Sequence, residues 1–146
     1  MTSRKQFCTF FLGEQMFGID VLKIQEVIRH QETTDVPLAP GVVRGLLNLR
    51  GSIVSTIDLR RRFGMPDFDD AAAPINVVTQ TATGLASLLV DRIGDVVEVD
   101  SKDFEYAPDT LQGEARNLIE GVYKLDGSLL LILNVERVME LDSVLV

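Results

Sequence analysis

The feature that most constrains this chain is an internal repeat. Gly45 to Phe63, GLLNLRGSIVSTIDLRRRF, lies without a gap over Gly121 to Met139, GVYKLDGSLLLILNVERVM. Gly45, Leu49, Gly51, Ser52 and Arg61 recur as Gly121, Leu125, Gly127, Ser128 and Arg137, and most other positions keep their apolar character. Upstream, FGIDVLKIQEVI (Phe17 to Ile28) lies over ASLLVDRIGDVV (Ala86 to Val97) in the same way. One structural plan used twice must account for such a chain.

The plan reads as β. Phe7 to Leu12 and Met16 to Ile19 flank a turn at Gly13-Glu14-Gln15, the signature of a hairpin. Val21, Ile24 and Ile28 have helical spacing, but β-branched Val27 and Ile28 favour a short helical turn leading into a strand. Pro37, Pro40 and Gly41 mark a loop. Val42 to Leu49 and Ile53 to Leu59 then form a second hairpin around Arg50-Gly51. In the second half Ile75 to Thr81, Leu85 to Val90 and Ile93 to Val99 are strand candidates. Ser101 to Arg116 suits a loop with a short helix, and Leu118 to Leu125 pairs with Leu129 to Leu133 around Asp126-Gly127. Five short strands per half predict two small β-barrels, over residues about 5–64 and 74–141, joined by a linker at about 65–73. Strand exchange between the two stays open at this point.

Arg50 is out of place at a turn. Asp126-Gly127 is the sequence that hairpin geometry favours; Arg50-Gly51 is not. In a two-residue type I′ turn Arg50 needs a positive φ, at a cost of about 1–2 kcal/mol. A longer loop with only Gly51 left-handed avoids that cost. The structural explanation is a solvated surface arginine. The functional one is a guanidinium placed to hold a carboxylate, with Glu26 as a local partner.

Reactive chemistry has no foothold. His30 is the only histidine and has no partner at usable spacing. Cys8, the single cysteine, sits in an aromatic strand without a base to activate it, and excludes an intrachain disulfide. No Cys/His spacing suits a metal, and Asp67, Asp69 and Asp70 lack the glycine and terminal Glu of a calcium loop. No glycine-rich phosphate loop occurs. Hence no catalytic residue, cofactor or metal is expected, and an enzyme is the weakest class. The net charge of −8 opposes nucleic-acid binding, leaving only Arg60, Arg61 and Arg62 as a local basic patch. No apolar run approaches the roughly 20 residues of a membrane span, so a cytoplasmic protein without direct membrane insertion is expected. What is left is a binding module.

The run Lys23 to Ile28 (KIQEVI), Val36 to Pro40 (VPLAP), Gly45 to Gly51 (GLLNLRG), Ile57 to Arg60 (IDLR) and Phe63-Gly64 resemble the CheW family of bacterial chemotaxis coupling proteins. So do Leu89-Val-Asp91, Ile93 to Val97 (IGDVV), Gly127, and Leu131 to Val135 (LILNV). The resemblance covers about Phe7 to Leu141 and rests on the order of these pieces. It implies an all-β fold with short helices: two SH3-like five-stranded barrels packed as one CheW-like domain over residues 5–141. It implies a non-enzymatic adaptor that links methyl-accepting chemoreceptors to the histidine kinase CheA, recruited to membrane-associated arrays through its partners. Carried over by position, Ile24, Glu26, Val27, Gly45, Arg50 and Val96 would meet the cytoplasmic helical tip of the receptor. Val36, Leu38 and Ile53 would meet the kinase's regulatory domain. Ser55 stands where the family often has proline, and Ser87 where glycine is common. An adaptor of a non-chemotactic kinase pathway is an alternative, and a small nucleic-acid-binding barrel a more distant one.

Overall fold

The computed structural model describes residues 3–29, 33–68, 73–107, 111 and 113–140. The strands are β1 (Arg4–Leu12), β2 (Gln15–Asp20), β3 (Ile24–Arg29), β4 (Val43–Leu49), β5 (Ser52–Asp58), β6 (Ile75–Thr81), β7 (Gly84–Val90), β8 (Arg92–Asp100), β9 (Glu105–Tyr106), β10 (Ile119–Leu125) and β11 (Ser128–Leu133). The helices are short: α1 (Leu59–Arg62), α2 (Glu114–Leu118) and α3 (Val135–Met139). A 3-10 turn at Val21–Lys23 leads into β3, as the mixed pattern of that segment suggests.

Two sheets form, in the orders β8-β1-β2-β11-β10-β9 and β3-β6-β7-β5-β4. Neither is built from one half of the sequence. The leading hairpin β1–β2 lies beside β11, pairing Met16, Phe17 and Gly18 with Leu130, Leu131 and Ile132 in parallel. The hairpin β6–β7 lies beside β5, pairing Ala86 to Leu89 with Ser55 to Asp58 in parallel. The halves therefore exchange their first hairpins, and the division at residues 64 and 74 follows the sequence rather than the sheets. Hairpins are announced by turn residues between adjacent strands; parallel neighbours are joined by long connections and leave no such local mark.

The exchange preserves the repeat. β3, β4 and β5 with β6 and β7 match β8, β10 and β11 with β1 and β2, strand for strand. Both lobes carry a register shift at the same place, between Ile24 and Glu26 on β3 and opposite Ile93 to Val96 on β8. Both end a hairpin in a capped helix: Asp58 accepts from Arg61 N at 3.1 Å, and Asn134 from Arg137 N at 3.0 Å. Gly45 and Gly121 are required for the same reason. A Cβ on Gly45 would lie 2.7 Å from the carbonyl oxygen of Thr34, whose segment bridges to Leu46; one on Gly121 would meet Phe104 and the backbone of Glu105.

The main core lies between the lobes. Phe10, Leu12, Phe17, Ile19 and Leu133 from one sheet meet Ile57, Val77, Leu88 and Val90 from the other, with Leu59, Leu118, Val135 and Val138 from the helices. Burying one such side chain fully contributes about 1.5–3 kcal/mol. A smaller cluster, Phe7, Val99, Tyr123, Leu130 and Ile132, fills the six-stranded lobe. Ser87 is buried and donates to Asn76 Oδ1 at 2.8 Å, which gives this hydroxyl a use that a glycine could not serve.

Polar bonds cross between the lobes as well. Asp91 accepts from Gly13 N at 2.6 Å in the β1–β2 turn and from Arg60 Nε at 2.8 Å on α1. At the equivalent place Glu136 on α3 accepts directly from Ala82 N at 2.9 Å in the β6–β7 turn. Arg62 reaches from α1 to the end of α3, donating to the carbonyls of Val138 (3.1 Å), Arg137 (3.1 Å) and Glu140 (3.2 Å).

Candidate functional site

The β4–β5 hairpin closes in two residues, with Leu49 opposite Ser52. Arg50 has φ +52° and Gly51 φ +91°, so both central residues are left-handed, as a type I′ turn demands. Asn48 Oδ1 accepts from Gly51 N at 3.0 Å and braces the turn. Arg50 thus adopts the conformation that costs an L-residue about 1–2 kcal/mol. Its guanidinium Nη1 lies 2.5 Å from Glu26 Oε2 on β3. The Arg50 side chain is 73% exposed and the Glu26 side chain 18%. Glu26 Oε1 is buried and accepts no hydrogen bond. An exposed ion pair contributes about 0–1 kcal/mol, so this pair at best offsets the strain of the turn.

The other expected receptor residues are distributed differently. Ile24 is half-buried and packs against the main core. Burial along β3 alternates, so Val27 points away from the face that carries Glu26, and is 40% exposed. Val96 is 58% exposed and stands on β8, in the other sheet. Gly45 is buried beneath Thr33 and Thr34, where its lack of a side chain serves chain crossing. The main core fills the space between the lobes, and among the described residues β3 forms an edge of its sheet at this corner. Clefts of about 480 and 360 Å³ open around Tyr123 in the six-stranded lobe.

Of the residues expected to face a kinase, Leu38 is the most prominent. It is 89% exposed with φ +67°, in a turn closed by Ala39 N donating to Val36 O at 3.2 Å. Pro37 precedes it, and glycine is the usual residue for a left-handed position after proline. A strained, projecting leucine adds nothing to the core. Val36 is half-buried, and Ile53 is 63% exposed on the same hairpin as Arg50, so the two expected surfaces adjoin.

The arginine run is not an open basic face. Arg60 forks onto Asp91, with Nη2 to Oδ2 at 2.5 Å, and lies over the ring of Phe68. Arg61 pairs with Asp67 at 3.0 Å and donates to Gly41 O, and Arg62 caps α3. The nucleic-acid alternative loses its patch, because these guanidinium groups are engaged within the chain. The same contacts anchor residues 65–68 of the expected linker: Met65 packs on the core and Pro66 O accepts from Arg60 Nη1 at 3.1 Å. Burial pushes the Asp91 carboxyl up, but the hydrogen bonds from Arg60 and Gly13 and the nearby positive charge outweigh it and leave it below the ordinary range. Burial raises the Cys8 thiol, which keeps it protonated at neutral pH. His30, Asp69 and Asp70 lie outside the described residues. Sequence reasoning missed Asp91 as a junction of the lobes; pairing Gly13 with Ala82 in the repeat was the available clue.

The comparisons with known proteins agree with this architecture. The CheW-like domain profile matches residues 6–143. The chain is 30% identical to the chemotaxis protein CheW of Helicobacter pylori over 137 residues, 94% of this chain and 82% of that protein. It is 29% identical to that of Treponema pallidum over 136 residues, 90% of this chain and 80% of its relative. Its fold superimposes on the crystal structure of the scaffolding protein TtCheW from Thermoanaerobacter tengcongensis with a TM-score of 0.87 at 26% identity, covering 96% of this chain and 95% of the other. With its length matched nearly end to end, this chain belongs to the CheW-like domain family, chemotaxis adaptors and scaffolds that are not enzymes.

Proposed function

We propose that this chain couples methyl-accepting chemoreceptors to a CheA-type histidine kinase, holding one on each of two adjoining surfaces. Support comes first from the family match over residues 6–143. The observation that carries the receptor side is the Arg50–Glu26 pair, a charged group kept on a strained turn where the fold does not need it. Ile24 backs the edge strand that carries Glu26; Val27, on the other face of that strand, and Val96, on the edge strand β8 of the other sheet, are the exposed apolar side chains offered beside it. Gly45 contributes by shaping the hairpin. The kinase's regulatory domain would meet Val36, Leu38 and Ile53.

Contacts of this kind are small, and their strength would come from many of them acting together in an array by raising effective concentration. Recruitment to the membrane would run through the receptor, since among the described residues no helix is long and apolar enough to cross a bilayer. Co-sedimentation of this chain with receptor fragments and kinase tests the proposal. Arg50→Ala and Glu26→Ala should each weaken receptor recruitment with the fold intact, and Leu38→Asp should weaken kinase recruitment alone. Wild-type recruitment by all three variants would remove both assignments.

A further inference from the structure

We infer that the docked receptor presents a carboxylate to Arg50, completing a chain of charge that runs from Glu26 through Arg50 to an acidic side chain on the receptor helix. This rests on the receptor-docking proposal and adds the chemistry the receptor must bring.

Turn geometry does not select this arginine. At the equivalent tip of the other lobe, Asp126-Gly127 closes the hairpin with only Gly127 left-handed. Nor does pairing with Glu26 account for it. A guanidinium has five N–H donors in a planar fork, and the contact with Glu26 uses Nη1 alone. Among the described residues Arg50 has no second partner, and its side chain stands 73% exposed. Glu26 is placed to aim the group rather than to be met itself. Its side chain is mostly covered, and its Oε1 is closed to solvent, so an incoming partner reaches Arg50 first.

The free part of the fork sets the class of partner. Planar, two-point recognition by guanidinium suits a carboxylate or a phosphate, and the side chain a protein helix supplies is Asp or Glu. The surroundings add a constraint. With a net charge of −8 the surface as a whole repels an acidic partner. An acid that docks here is therefore fixed in register by one local cation, not drawn in by a general field. Covering this corner with the receptor helix also removes water from the ion pair, which strengthens it.

A charge swap tests this. The probe is the isolated cytoplasmic hairpin of a receptor, with each Asp and Glu of its tip changed singly to Asn or Gln, titrated against the full chain. Arg50→Gly removes the guanidinium while relaxing the turn, so loss of binding cannot come from unfolding. The expected result is that Arg50→Gly and one receptor acid each lower affinity about tenfold, with no further loss when combined. Arg50→Glu should lower it further, and changing that same receptor acid to Arg should recover most of the loss. If Arg50→Gly weakens binding but no receptor acid does and no swap recovers it, docking at this corner stands and the carboxylate inference falls. If Arg50→Gly and Arg50→Glu both bind like wild type, the docking proposal and the inference fall together.

Discussion

The two hairpin tips that the repeat makes equivalent, Arg50-Gly51 and Asp126-Gly127, solve one problem in opposite ways. In the six-stranded lobe the tip is Asp126-Gly127, a pair that accepts left-handed backbone easily, and Asp126 does not use that freedom. In the five-stranded lobe the tip is Arg50-Gly51, and the residue less suited to a positive φ is the one that adopts it. The flanking strands are equivalent and the registers both close in two residues. What differs is the third strand: Glu26 stands within reach of Arg50, whereas its counterpart in the repeat, Asp95, has no cation at the matching tip. Local preference decides neither turn alone. A long-range ion pair distinguishes the lobes.

The largest effect should come from what the lobes share. Leu88→Ala opens a cavity in the core between them and should cost about 2–5 kcal/mol. Denaturant unfolding followed by separate probes in each lobe should show one transition moving as a unit; two transitions would mean the lobes are independent.

Next is the crossing of chains beneath each tip. Gly45→Ala drives a Cβ into the backbone of Thr34 at an unfavourable φ, and Gly121→Ala drives one into Phe104 and Glu105. Each should lose about 1–3 kcal/mol in chemical denaturation. The Gly45 variant should also bind receptor less well only in proportion to its lost fold.

Asp91 sharpens the comparison by pH. Its folded carboxyl titrates below the unfolded one, so its contribution is fully present above the unfolded value, near pH 4, and drains away as the pH falls through the folded value. Asp91→Asn should cost about 1–3 kcal/mol at neutral pH and flatten the acid limb of the stability curve. Glu136→Gln, at the simpler junction of the other lobe, should cost less. The smallest effect is at the tip itself: Arg50→Gly should shift stability by less than about 1 kcal/mol, because relief of strain offsets a weak ion pair.

Much of this was legible in the chain. Each hairpin was announced by its turn residues, and the repeat announced two lobes. The turn residues announced the tip, and Glu26 stood out as a partner for Arg50, but the residues leave open whether Arg50 itself takes a positive φ, since a two-residue turn and a longer loop both fit them. The exchange of β1–β2 and β6–β7 was not legible, because parallel pairing of β2 with β11 depends on contacts far apart in sequence. The part Gly45 plays under the crossing chain was not legible, because a backbone crossing above it leaves no pattern in neighbouring residues. The arginine run read as a local basic patch because its partners, Asp91 and the carbonyls at the end of α3, are distant in sequence.

The most direct measurement compares the tips as binding elements. Titrating a receptor fragment against Arg50→Gly and Asp126→Gly should show about a tenfold loss of affinity for the first and none for the second. Equal affinity of the two variants would contradict a receptor site at the Arg50 corner.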